Sequence, residues 1–368
     1  MNDNITPYVR YIGADDKDLD LFESQYVVPQ GISYNSYVIT DEKIAVMDTI
    51  DQRKTEEWTV RLEEALEGRT PDYLIVQHME PDHAANIGWF AEKYPEATIV
   101  ASAKAIQMMP QFFEEVNFAG RTQTVKEGDT LCLGQHTLKF IMAPMVHWPE
   151  VMLTYEESEK ILFSADAFGK FGALCHEGEW IDEARRYYFN IVGKYGAQVQ
   201  ALLKKAAGLD IAMICPLHGP VLKENLGYYI GLYDTWSKYE PETEGVVVAY
   251  ASIHGNTAAA ARRMAEILSE KGAAEVMLID LCRDDMALAV ESAFRYSKMI
   301  VAASSYDAGV FPPMFDFLHH LQIKNFQKRR VGIIENGSWA PTAGRMMSCM
   351  LSEMKNMEIM EHMVTIKS

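Results

Sequence analysis

The sequence predicts an α/β protein of two domains, residues 1–243 and 244–368. Three observations carry this. At 368 residues the chain is long enough for two sizeable cores, and its 48% hydrophobic and 23% charged residues are those of an ordinary globular protein. The stretch Glu240-Pro-Glu-Thr-Glu-Gly245 is polar and contains Pro and Gly, as inter-domain segments do. After it, apolar strand-like segments alternate with helical ones, which implies right-handed crossovers and a parallel, doubly wound sheet.

In the first part, Tyr37-Val-Ile-Thr40 and Ile44-Ala-Val-Met47 read as strands around the turn Asp41-Glu-Lys43. Trp58, Leu62 and Leu66 recur every fourth residue, predicting a helix that Gly68 closes. Tyr73-Leu-Ile-Val76 is a short apolar strand, and further strands are expected at 137–141, 151–155, 161–164 and 211–215. In the second part, strands are predicted at 246–250, 276–279, 299–302, 331–334 and 363–366. Helices are predicted to start near Thr257, Asp285, Pro312 and Thr342.

Charge and cysteine usage exclude several classes. A formal net charge of −18 argues against a nucleic-acid or anionic-membrane partner. No apolar run approaches a membrane span, and Met1-Asn-Asp-Asn-Ile5 lacks the basic start and apolar stretch of a signal peptide. The five cysteines are scattered and form no C-x-x-C. A disulfide framework, a zinc knuckle and a fused rubredoxin or iron–sulfur module are therefore not expected, and the cytoplasm is the natural compartment.

Two clusters carry chemistry. The first begins two residues after a predicted strand: His78-Met-Glu80-Pro-Asp82-His83 packs four metal-ligand types into six residues. In an extended or turning loop, His78, Glu80 and Asp82 face the same way, with His83 beside them. Such a run after a buried strand is costly to desolvate unless it binds something. A lone His147 or His218 is by itself more often a surface or core histidine, but beside the dense motif His147, Asp166 and His218 become credible ligands. Each lies in a loop just past a strand or between two. Seven donors, three carboxylates and four imidazoles, exceed one zinc's need and suit two metals roughly 3.5–4 Å apart. The set fits iron or manganese better than a sulfur-rich zinc site. Asp48 is a candidate to orient a ligand histidine, or a turn residue.

The second cluster is Ser252-Ile-His254-Gly255-Asn256-Thr257, set between the strand Val246-Val-Val-Ala-Tyr250 and an Ala-rich helix. Small hydroxylated residues, a glycine and a helix N-terminus make an anion site of backbone N–H groups. Two later loops join it: Ser304-Ser305-Tyr306-Asp307 with Gly309, and Glu335-Asn336-Gly337-Ser338-Trp339. Ligands of doubly wound sheets bind where strand C-termini meet at the switch point, and Tyr306 and Trp339 offer aromatic surfaces to a flat ring.

These motifs resemble known families. His-x-Glu-x-Asp-His is similar to the His-x-His-x-Asp-His of the metallo-β-lactamase fold, with Glu80 in place of the second histidine, a replacement that marks the flavodiiron proteins. The likeness extends through Ser33-Tyr-Asn-Ser-Tyr37, Val146-His-Trp-Pro149 and Ser164-Ala-Asp-Ala-Phe-Gly-Lys-Phe-Gly-Ala-Leu174. Residues 245–368 resemble a short-chain flavodoxin, although the loop at Ser304 lacks that family's usual proline. The resemblance implies an N-terminal αββα sandwich followed by a flavodoxin-like, doubly wound, five-stranded parallel sheet. A flavodoxin domain usually ends with one further helix. Its apparent absence here would leave an apolar sheet face for other cover, a partner subunit for example.

By the same resemblance, His78, Glu80 and His147 hold one iron, Asp82, His83 and His218 the other, and Asp166 bridges them. FMN phosphate falls to Ser252, His254, Gly255, Asn256 and Thr257. The flavin ring falls to Ser305, Tyr306, Asp307, Gly309, Asn336, Gly337, Ser338 and Trp339. The implied activity is reduction of dioxygen to water or of nitric oxide to nitrous oxide, with rubredoxin or another reductase as electron donor. The implied assembly is a head-to-tail homodimer, or a tetramer built from it, with the flavin of one chain close to the irons of the other. The rival expectation is a zinc hydrolase with an accessory flavodoxin-like module, which Glu80 and the flavin loops disfavour. The basic run at Lys324, Lys328, Arg329 and Arg330 is expected to be a solvated turn rather than a docking patch, His176 is expected at the surface rather than lining the substrate pocket, and His319 and His320 are given no role.

Overall fold

The computed structural model describes residues 4–176 and 178–367. Its contacts resolve into two compact units, residues 1–184 with 197–230, and residues 185–196 with 231–368.

The first unit contains two facing sheets. One has six strands in the order Val9–Tyr11, Tyr37–Thr40, Ile44–Met47, Tyr73–Val76, Thr98–Ser102, Thr122–Val125. It is antiparallel up to Ile44–Met47 and parallel beyond it. The other runs Thr130–Cys132, Thr137–Met142, Met152–Glu156, Ile161–Phe163, Met213–Cys215, antiparallel except for its last pair. Alternate residues point inward: Tyr37, Ile39, Ala45, Met47 and Ile75 from the first sheet meet Leu138, Phe140, Ile161, Phe163 and Cys215 from the second in one core. The helices Thr55–Leu66, Ile87–Lys93 and Ala103–Phe112 lie in the connections of the first sheet. Trp58 anchors the first of these, its indole N–H donating to Ser36 Oγ at 3.1 Å. That helix ends at Leu66, two residues before the expected glycine, because Glu67 itself takes the left-handed conformation (φ 51°) and Gly68 continues it (φ 82°).

The topology positions the candidate ligands. His78 follows Tyr73–Val76, His147 follows Thr137–Met142, Asp166 follows Ile161–Phe163 and His218 follows Met213–Cys215. The strands Thr137–Met142, Ile161–Phe163 and Met213–Cys215 run in one direction within their sheet, so their ligands all come off C-terminal strand ends.

The second unit is a parallel sheet in the order Val276–Asp280, Thr243–Ala251, Tyr296–Tyr306, Arg330–Asn336, with helices Asn256–Glu270, Met286–Arg295, Pro312–Ile323 and Ala343–Ser352 between strands. The order reverses between the first and third strands, which creates the switch point. The fifth position is filled by two pieces, Glu358–Ile359 and Val364–Ile366, rather than by one strand from Met363. Both pair parallel with Arg330–Asn336, and the segment 360–363 bulges between them.

The units do not part at 243/244. Residues 185–196 and 231–243 belong with the second unit because their aromatic side chains pack there. Phe189 stacks on Phe294 with centroids 4.3 Å apart, Tyr188 and Phe189 lie against Trp236, and Arg185 Nε donates to Glu242 at 2.7 Å. The polar stretch that suggested a boundary leads directly into the strand Thr243–Ala251.

The basic run is mostly structural. Lys324 donates to the Asn190 carbonyl, Lys328 to the Lys238 carbonyl, and buried Arg329 to the carbonyls of Tyr239, Phe294, Tyr296, Gln327 and Lys328. Lys328 and Arg330 are exposed, and Arg330 pairs with Glu358.

Candidate metal centre and cofactor pocket

The loops bring all seven expected donors of the first unit into two adjoining groups. His78, Glu80, His147 and Asp166 form one, and Asp82, His83 and His218 the other, with donor atoms within 4.8 Å of one another in each. In the first, Glu80 Oε2 lies 3.2 Å from His78 Nε2 and 3.0 Å from His147 Nε2. Asp166 Oδ2 lies 3.4 Å and 3.1 Å from the same two nitrogens. In the second, Asp82 Oδ2 lies 3.3 Å from both His83 Nε2 and His218 Nε2. Asp166 Oδ1 faces this group, 3.3 Å from His83 Nε2 and 3.9 Å from His218 Nε2. Each carboxylate oxygen of Asp166 thus serves one group.

The residues fit a pair of cations. Donors around a tetrahedral ion at about 2.1 Å sit roughly 3.4 Å apart, close to the spacings here. Both oxygens of Asp82 and Oδ1 of Asp166 are buried without a hydrogen-bond partner, which is costly unless a cation meets them. The electrostatics agree. Burial opposes a charged His147, yet hydrogen bonds to Asp166 and Glu80 push its pKa up to about 9. Burial likewise opposes an ionised Asp166, yet His78, His147 and His83 hold its carboxyl well below the usual range. The pocket attracts positive charge.

A surrounding layer fixes the rings. His78 Nδ1 lies 2.8 Å from Glu150 Oε1, and His218 Nδ1 donates to the Ser33 carbonyl at 2.7 Å, so both rings turn Nε2 toward the centre. Asp48 is buried in a left-handed conformation (φ 54°). Its carboxylate accepts from the Gln77 amide N–H, the Gln77 side chain and the His78 amide N–H, so it holds the motif's backbone and not a histidine ring. Burial pushes Asp48 up to about 6 against these bonds. Sequence reasoning missed Glu150. Its one signal was a carboxylate three residues after His147, in Trp148-Pro149-Glu150.

The second unit carries a cavity of about 640 Å³ at the switch point, lined by His254, Asn256, Thr257, Ser305, Tyr306, Asp307, Asn336, Gly337, Ser338 and Trp339. Ile253, Ser304, Ala308, Ala340 and Thr342, not assigned to the cofactor from sequence, complete the lining. Ser252, Gly255 and Gly309 are not among the lining residues. Ser252 Oγ accepts from the Gly255 amide, and the Gly309 carbonyl accepts from Thr342 Oγ1. Gly255 has φ 93° and precedes the helix Asn256–Glu270, so the first amides of that helix are presented at the cavity. Thr257 Oγ1 lies 2.9 Å from Ser304 Oγ and accepts from Asn336 Nδ2 at 3.2 Å, tying the three loops together. Ser305 Oγ accepts from the amides of Thr342 and Ala343. Asp307 and Ala308 form a left-handed turn, and Tyr306 and Trp339 are exposed, Trp339 by 92%. The lining contains no Lys or Arg, so a phosphate there would be held by N–H and hydroxyl groups.

Comparison with known proteins agrees with this architecture. A family profile described as "ODP family beta lactamase" matches residues 32–219. The chain is 31% identical over 319 residues to an uncharacterized protein of Methanocaldococcus jannaschii, covering 85% of this chain and 80% of that one. It is 29% identical over 353 residues to the anaerobic nitric oxide reductase flavorubredoxin of Aliivibrio fischeri, covering 92% of this chain and 70% of that one. Among solved structures, rubredoxin oxygen:oxidoreductase from Desulfovibrio gigas superposes with a TM-score of 0.92 at 25% identity, covering 99% of this chain and 92% of that one.

Proposed function

Since the chain belongs to the flavodiiron family, we propose that it reduces dioxygen to water or nitric oxide to nitrous oxide at a two-iron centre supplied with electrons through FMN. The observation that carries the reading is Asp166, whose two oxygens face two separate sets of histidine and carboxylate donors. His78, Glu80 and His147 would hold one iron, Asp82, His83 and His218 the other, with Asp166 between them.

The iron pair and FMN together supply the electrons of the reaction. The chain's own residues set the conditions. Glu150 keeps a proton on Nδ1 of His78, and the Ser33 carbonyl keeps one on Nδ1 of His218, leaving each Nε2 free to bind. Three carboxylates and four imidazoles form a hard and borderline donor set suited to iron. In the second unit the helix amides at Asn256 and Thr257 would hold the FMN phosphate, and Tyr306 and Trp339 would offer ring faces to the flavin, with Asp307, Asn336, Gly337 and Ser338 supplying polar groups.

Rubredoxin or another reductase is the proposed donor, and a head-to-tail homodimer, or a tetramer built from it, the proposed assembly. No helix among the described residues is long and apolar enough to cross a membrane, and the cytoplasm is the proposed compartment. The test is steady-state consumption of oxygen and of nitric oxide, side by side, by the iron- and FMN-loaded protein with reduced rubredoxin. Fast turnover on one gas names the substrate. Turnover on neither, with both cofactors bound and several donors tried, overturns the reading.

A further inference from the structure

The cavity of the second unit offers an anion very little positive charge. Among the described residues that line it, His254 is the one side chain able to become a cation. Asp307, on the facing loop, adds a negative charge, and the chain as a whole carries −18. His254 immediately precedes Gly255, after which the helix Asn256–Glu270 presents its first amides. The turn is held by Ser252 Oγ, which accepts from the Gly255 amide at 3.1 Å. Imidazole and helix amides therefore belong to one short loop.

His254 is also uncommitted. It is exposed and makes no hydrogen bond, ion pair or ring contact among the described residues. The hydroxyls beside it are occupied: Thr257 by Ser304 and Asn336, and Ser305 by the amides of Thr342 and Ala343. Most charged groups on the packed elements are engaged elsewhere. On the helix, Arg263 pairs with Glu266 and Glu270, and Arg262 lines a separate depression beside the same two glutamates. After the strand Val276–Asp280, Asp280 accepts from the Cys282 amide and Asp284 from the Asp280 amide, with Arg283 between them. Glu335 accepts from the Gly344 amide and Thr365.

We propose that His254 supplies the positive charge opposite the FMN phosphate, and so makes the preference of this chain for FMN over riboflavin depend on pH. The inference rests on the FMN reading of the cavity. Imidazole is the side chain that changes charge between about pH 5 and 8. A phosphate monoester loses its second proton near about pH 6. Close to neutrality a protonated imidazole thus meets a dianion, and the hydrogen bond between them is charge-assisted. A bound dianion holds the imidazole proton more tightly than water does. Binding on the alkaline side therefore takes up a proton, and affinity falls as pH rises. On the acid side the phosphate loses charge and affinity falls again. Riboflavin has no phosphate and shows neither limb.

The test is fluorescence titration of the flavin-stripped, metal-loaded full chain with FMN and with riboflavin, across about pH 5.5 to 8.5. Wild-type affinity for FMN should fall about 10-fold from its maximum to the alkaline end, while affinity for riboflavin stays level. His254→Asn should remove the alkaline fall and bind FMN weakly throughout. His254→Arg, which keeps its charge, should hold near-maximal affinity to the alkaline end. Circular dichroism and metal content establish that the variants are folded. A level FMN profile in wild type, or an alkaline fall that persists in His254→Asn, overturns the proposal and leaves the FMN reading standing. Wild type that binds FMN no tighter than riboflavin at any pH overturns both.

Discussion

Glu150 Oε1 lies 2.8 Å from Nδ1 of His78 and accepts from the Met79 amide at 2.9 Å, so one buried carboxylate holds both the ring and the backbone of the first ligand. Glu150→Ala leaves the His78 N–H unpaired in a dry site and frees the ring to turn. Metal affinity at that site is expected to fall about 10–100-fold, with FMN content unchanged. Glu150→Gln, which keeps an acceptor oxygen, should fall between variant and wild type in a ferrous titration.

The sharing of Asp166 separates its loss from that of any single histidine. His147→Ala and His218→Ala should each retain about one iron per chain, because each belongs to one donor group. Asp166→Ala removes a donor from both and should retain less than either. Metal analysis of purified protein checks the order, and an Asp166 variant that keeps two ions would refute the bridge.

Thr257 links three loops through one hydroxyl. Thr257→Val keeps the side-chain shape and removes both bonds. FMN affinity should fall about 10-fold, the worth of one hydrogen bond near a charged group. Fluorescence titration with FMN measures it, and metal content serves as the control.

Glu291 is 5% exposed, with Arg185 Nη1 3.8 Å from Oε2, Arg295 and Glu242 nearby, and no hydrogen-bond partner on Oε2. Burial outweighs the arginines and pushes its carboxyl from 4.5 up to about 7. The folded state then binds this proton more tightly than the unfolded state, so the group's contribution to stability falls as pH rises from about 4.5 to 7 and is level outside that window. The slope is at most about 1.4 kcal/mol per pH unit. Glu291→Gln should flatten this part of the profile and gain most over wild type at pH above 7, as read by denaturant melts across the range.

Arg329 satisfies five carbonyls from inside the second unit and is 2% exposed. Arg329→Met should destabilise that unit by about 3 kcal/mol or more, because buried carbonyls are left without donors. Lysine should rescue little, since three donors on one nitrogen cannot span five acceptors. Thermal melts following flavin release would register the loss.

Periodicity and motif spacing carried most of the fold. The strands of the second unit and the starts of its four helices near Thr257, Asp285, Pro312 and Thr342 were legible because Asp, Thr and Pro mark helix entrances and apolar runs mark buried parallel strands. The domain boundary was not legible, because polarity at 240–245 reads as a linker while the aromatic packing of Phe189 and Trp236 is a long-range fact. The seven residues that gather at the candidate centre were legible from residue types. Glu150 and the Ser33 carbonyl were not, since a lone glutamate has no pattern and a carbonyl belongs to every residue. In the cofactor loops, sequence named the residues but not their tasks: Thr257 and Ser305 spend their hydroxyls on neighbouring loops and helix ends.

The donors run from position 78 to position 218 and leave both sheets of the first unit. A metal pair bound there is a cross-link that exists only in the closed sandwich, so loading is thermodynamically coupled to folding. An ion present at a thousandfold excess over its dissociation constant adds about 4 kcal/mol to stability. Iron supply would then govern how long the chain survives proteolysis as well as how fast it turns over. Under iron starvation, loss of protein would accompany loss of activity.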